Sequence, residues 1–259
     1  TLDKNKLTFR HKGAPFNYES FTSLIKQVSS ASKEDENAAG QFGTGFITTH
    51  KFSRVVSITG SLELEKGYYA EIKDFKLDRS ANDLQKLIDE MTQELSFTDH
   101  LLKEQLFSVP LPETEFVYNL DNERFPSAQQ GITAAFKFIP YVMVIDKRVK
   151  SISIEDNVQN KQETFNRGEE VCIDPETNLY NVSIIYTNNQ QNVYYLKSED
   201  EKDIIILPLC NTGEAISLAD IPRFFIFFPL KTLGLITSFI ANAFILKNHV
   251  MQSFYRKTI

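Results

Sequence analysis

Three glycines within six residues, Gly40, Gly43 and Gly45, constrain this chain more than any other feature. Glycine reaches positive φ and leaves no Cβ between an approaching ligand and the main chain. In Gly40-Gln41-Phe42-Gly43-Thr44-Gly45-Phe46 these residues run directly into Phe46-Ile47-Thr48-Thr49-His50-Lys51-Phe52, an apolar, helix-compatible stretch. A glycine loop that feeds a helix N-terminus presents unpaired N–H groups and the positive end of the helix dipole, a setting that suits phosphate. The same spacing also serves an ordinary tight turn, so the flanking sequence has to decide.

Upstream, Lys6 to Gly13 alternates apolar and polar residues and reads as a half-buried strand that stops at a glycine. Ala14-Pro15-Phe16 turns the chain. Phe21, Leu24, Ile25 and Val28 then fall at helical spacing, with Asn17 or Ser20 as the N-cap. Ser29 to Ala39 is small, polar and charged, the composition of an exposed connecting segment. Beyond the glycines, Val55 to Gly60 reads as a strand. The order is strand, glycine turn, helix, polar segment, glycine loop, helix, strand.

That order, with the wording of residues 40–46, resembles the ATP-binding domain of the GHKL family. This is the Bergerat fold of gyrase, MutL, histidine kinases and the heat-shock chaperones, and the likeness is to the chaperone and sacsin-like branch. The resemblance implies that the backbone amides of Gly40, Gln41, Phe42, Gly43, Thr44, Gly45 and Phe46 hold phosphates. It also implies that Ser29 to Ala39 is a lid and that ATP with Mg²⁺ is the ligand. Thr114-Glu115-Phe116-Val117-Tyr118-Asn119-Leu120 resembles the strand whose threonine contacts the adenine site. A lone strand threonine is equally at home as a β former. His11-Lys12-Gly13 occupies the turn where the family has its adenine-reading aspartate, so His11, Gly13 and Thr114 are the adenine-pocket candidates. A neutral imidazole can accept a hydrogen bond there, but it offers no fixed carboxylate charge. The family's first helix bears a Glu and an Asn that activate water and hold Mg²⁺, and nothing before Lys6 supplies it. No catalytic residue or protein metal ligand is therefore assigned. Farther on, Ile221 to Phe244 resembles the start of the middle domain of sacsin-like proteins, which makes Arg223 the candidate contact to a γ-phosphate.

Composition narrows the class. With 259 residues, 42% hydrophobic and 24% charged, the chain suits one large domain or two ordinary ones. Its net charge is −6, and no Lys/Arg run forms a patch, so nucleic acid is not indicated as a partner. Cys172 and Cys210 have no metal-ligand spacing and make no disulfide framework, which points to a reducing, cytoplasmic setting. His11, His50, His100 and His249 are scattered and read as core or surface residues. The apolar stretch around Ile221 to Leu246 tempts a membrane assignment. Its longest uncharged piece is about 15 residues, short of the roughly 18–20 that a spanning helix needs, and it reads as a buried strand pair.

The remaining elements follow from periodicity. Tyr68 to Leu77 reads as a strand. Ser80 is expected to cap a helix from Ala81 to Leu95, with Leu84, Leu87, Ile88, Met91 and Leu95 on its core face and Asp89, Glu90 and Glu94 solvated. A second helix is expected from Asp99 to Leu106, a helix from Ser127 to Phe138, and a strand from Tyr141 to Ile145. Past a boundary near Lys147 to Ser151, strands are predicted at Ile152–Ile154, Asn181–Tyr186, Asn192–Leu196 and Asp203–Leu207, with a turn over Asp174 to Asn178.

The expectation is an α/β (α+β) chain: a two-layer Bergerat-type sandwich with a mixed sheet over residues 1–150, then a β-rich second domain over 151–259. The function that the resemblance implies is a chaperone-like ATPase module, in which nucleotide closes the lid and rearranges the adjoining domain. It implies homodimerisation as well. Hydrolysis would require the first helix that this chain does not show. The competing reading is a degenerate Bergerat-fold interaction module without nucleotide turnover.

Overall fold

Alternation builds the first sheet. In the computed structural model the described residues are 1–27, 46–101, 103, 105–199, 204–207, 209 and, by backbone, 224–226, 228–230 and 240–242. Strands β1 (Lys6–His11), β2 (Phe16–Asn17), β3 (Val55–Glu65), β4 (Tyr68–Asp78) and β5 (Thr114–Asn119) form a mixed sheet. β3 is central: β4 runs antiparallel along one side, while β5 and then β1 lie antiparallel on the other. β2 continues beside the end of β3 and is parallel to it, Phe16 opposite Leu62. The β3–β4 hairpin closes at Gly67, whose φ of 80° is one that a residue with a Cβ rarely adopts.

Helices α1 (Tyr18–Lys26) and α2 (Leu84–Leu101) cover one face of this sheet. Phe21 and Ile25 of α1 are fully buried with Val56, Ile58, Leu62, Ala70 and Ile72 of the strands, and Leu101 of α2 joins them. Of the two N-cap candidates Asn17 is the cap, and Ser20 completes a capping box as the third helical residue. Asn17 Oδ1 accepts from the Ser20 N–H at 2.7 Å, and Ser20 Oγ accepts from the Asn17 N–H at 3.0 Å.

α2 departs from its sequence reading. Asp83, not Ser80, starts it, accepting from the Lys86 N–H at 3.0 Å; Ser80 is held instead by Asp78 Oδ1. The helix continues through residues 99–101, where a separate second helix was expected to start. Leu84 and Ile88 of the expected core face are exposed, whereas Glu94, expected in solvent, is buried. The physical reason is Arg79, which is also buried and stands 2.7 Å from the Glu94 carboxylate. Periodicity places a carboxylate on a polar face, but it cannot see a cation waiting in the core.

The chain folds as two compact units, Thr1–Ile132 with Asp156–Lys161, and Thr133–Glu155 with Gln162–Ile259. The division falls within α3 (Phe125–Ile145), rather than at residues 147–151. α3 replaces the predicted helix-then-strand over 127–145: Pro140 sits inside it, and the chain stays helical to Ile145. Proline has no N–H to give and ordinarily breaks a helix. Here burial of Phe138, Ile139, Tyr141, Met143 and Val144 outweighs that cost.

The second unit is β-rich. Strands β6 (Ser151–Asp156), β7 (Lys161–Asp174), β8 (Leu179–Tyr186), β9 (Asn189–Lys197), β10 (Ile204–Leu207), β11 (Phe224–Ile226), β12 (Phe228–Leu230) and β13 (Ile240–Asn242) form one sheet in the order β12-β11-β13-β10-β9-β8-β7-β6. Ile154, Phe165, Val182, Ile184, Val193, Tyr195, Ile204 and Ile206 are among its buried positions. The predicted strands of this region all form. β7 is absent from the sequence reading, because its register shifts at Arg167/Glu170 and at Cys172/Asp174 erase the two-residue period. The apolar run around residue 225 does form a strand pair, with Phe224 opposite Leu230. No helix among the described residues is long and apolar enough to cross a membrane.

Candidate functional site

The site is assembled at the edge of the helix-covered face, where β1 ends and β5 begins. Antiparallel pairing sets His11 directly opposite Thr114, and Phe9 opposite Phe116, so these four side chains share one face. The three residues predicted for the adenine pocket are thus brought together. Gly13 lies just past β1, and its N–H donates to His11 Nδ1 at 3.1 Å. A Cβ on Gly13 would stand 2.9 Å from that nitrogen, so the close approach needs glycine.

Thr114 is buried because β3 makes room for it. A Cβ on Gly60 would meet Thr114 Oγ1 at 3.1 Å and Cγ2 at 3.2 Å. From the sequence Gly60 reads only as the end of a strand. It is interior to β3, at a register shift from Ile58, and it shapes the pocket wall.

Phe116 is the centre of an aromatic group. His11 stacks on it at 6.1 Å between centroids, and Phe9, Phe16 and Phe46 each lie 6.2 Å from it. Phe46, the last residue of the glycine motif, opens the helix expected there, which is a 3₁₀ helix, Phe46–Lys51. Gly40, Gln41, Phe42, Gly43, Thr44 and Gly45 lie outside the described residues, as do Ser29 to Ala39 and Arg223.

A hydrogen bond that the sequence did not reveal joins the two flanks of residues 28–45. The Gln27 side-chain amide donates to His50 Nε2 at 3.0 Å. Gln27 is the left-handed C-cap of α1, with φ 55° and ψ 41°. Burial lowers the pKa of both His11 and His50; the charges of Arg54 and Arg79 add to the effect on His50. Both rings are therefore neutral near pH 7. Because Nδ1 of His11 accepts from Gly13, its proton is on Nε2. The ring presents a donor to its surroundings, where the sequence had suggested an acceptor.

Arg79 fixes the framework behind this edge. Its Nη2 donates to Ile25 O at 2.5 Å and its Nη1 to Asp78 O at 2.6 Å and Glu94 Oε1 at 2.9 Å, which ties the end of α1 to β4 and α2. A cation at the carboxyl end of α1 also complements its dipole.

In the second unit, Glu170 gathers Tyr195 O–H, Lys197 Nζ, Lys147 Nζ and Arg167 Nη2. Burial alone would raise the Glu170 carboxyl. Hydrogen bonds from Lys197 and Tyr195, with the charges of Lys147 and Lys197, overcome it and hold the pKa at about 2. Lys197 is itself buried and lies 3.7 Å over the Tyr180 ring. This network neutralises cations inside a sheet, which is a structural role.

Among the described residues no three His, Cys, Asp or Glu side chains converge on a metal position. A hollow of about 150 Å³ lined by Ser61, Tyr69, Glu71, Phe107, Val109 and Leu111, among others, contains none of the predicted site residues. Comparison with known proteins gave no matching family model, no matching curated protein and no matching solved structure.

Proposed function

We propose that the first unit is a nucleotide-binding module of the GHKL type, with Mg-ATP as the ligand that the resemblance implies. One observation carries the reading. Thr114 is about a hundred residues from the His11–Gly13 turn in sequence, yet the resemblance groups the three as one pocket; they meet at one strand end, with Phe46 of the glycine motif packed on the same ring as His11.

In this reading the amides of residues 40–46 hold the triphosphate, and the base rests at His11, Gly13 and Thr114 against the aromatic group. Mg²⁺ would arrive on the phosphates. Positioning and electrostatics dominate phosphoryl chemistry, and no described side chain is assigned as a base, so binding rather than turnover is proposed. The rival, an interaction module without a nucleotide, draws on His11 standing where the family has a carboxylate.

Calorimetric titration with Mg-nucleoside triphosphates decides between them. Saturable purine-triphosphate binding in the micromolar range is expected, and Gly43→Val is expected to abolish it while the far-UV circular dichroism is unchanged. A Gly43→Val chain that binds as well as the parent would remove the phosphate loop from the site. No binding by the parent chain would favour the interaction module.

A further inference from the structure

We draw no further inference here: the strongest candidate, the apolar surface patch on the N-terminal half of α2 where Leu84 and Ile88 stay exposed, carries nothing because nothing in the structure shows what covers it.

Discussion

Removing Glu94 is expected to be among the most damaging single changes to the first unit. The Arg79 and Glu94 side chains are 4% and 8% exposed. Glu94 Oε1 accepts both from Arg79 Nη1 at 2.9 Å and from the Asp78 N–H at 2.8 Å, and Oε2 stands 2.7 Å from Nη2. Glu94→Ala strands a buried guanidinium with only the carbonyls of Asp78 and Ile25, and it orphans an amide as well. Breaking a buried pair from one side costs about 3–5 kcal/mol. Glu94→Gln keeps the volume and one acceptor but loses the charge, for about 1.5–3 kcal/mol. The joint change Arg79→Met with Glu94→Leu removes both ions, and is expected to cost much less than the sum of the single changes. Urea denaturation followed by far-UV circular dichroism measures all of these, since the chain has no tryptophan to report by fluorescence. A Glu94→Ala chain within about 0.5 kcal/mol of the parent, or additive single changes, would refute the reasoning.

Two further outcomes follow from the other clusters. Glu170 has a folded-state pKa of about 2 against an ordinary 4.5, so its contribution is fully present above about pH 4.5 and is lost as pH falls toward 2. Denaturation midpoints measured across that window should fall with pH, and Glu170→Gln should flatten the slope; an unchanged slope would count against the network. Gly60→Ala places a Cβ against Thr114 and should cost about 1–3 kcal/mol. Thr114→Ala in the same chain should recover most of that loss, which a double-mutant cycle reads directly.

Local order was legible wherever neighbours in sequence are also neighbours in space. The strand at Lys6, the Asn17 cap, the separate strands β3 and β4 and the strands of β8 to β10 each rest on period, capping or turn chemistry spanning a few residues. Local rules misread the chain where a distant partner changed the balance. Pro140 reads as a helix stop until the buried side chains around it are counted. β7 loses its alternation at bulges, and the backbone of Gly168 there comes so close to Ser183 O that a Cβ would lie 3.0 Å from it.

The candidate site divides along the same line. The sequence alone determined which residue types are present: three glycines within six residues, a histidine and a glycine two residues apart at the end of one strand, and a threonine at the start of another. Only the tertiary structure decided that His11 faces Thr114, that Gly60 gives way to that threonine, and that Glu94 leaves water to meet Arg79. It also decided which His11 nitrogen carries the proton, because a tautomer depends on the partner in space, and sequence spacing does not place that partner.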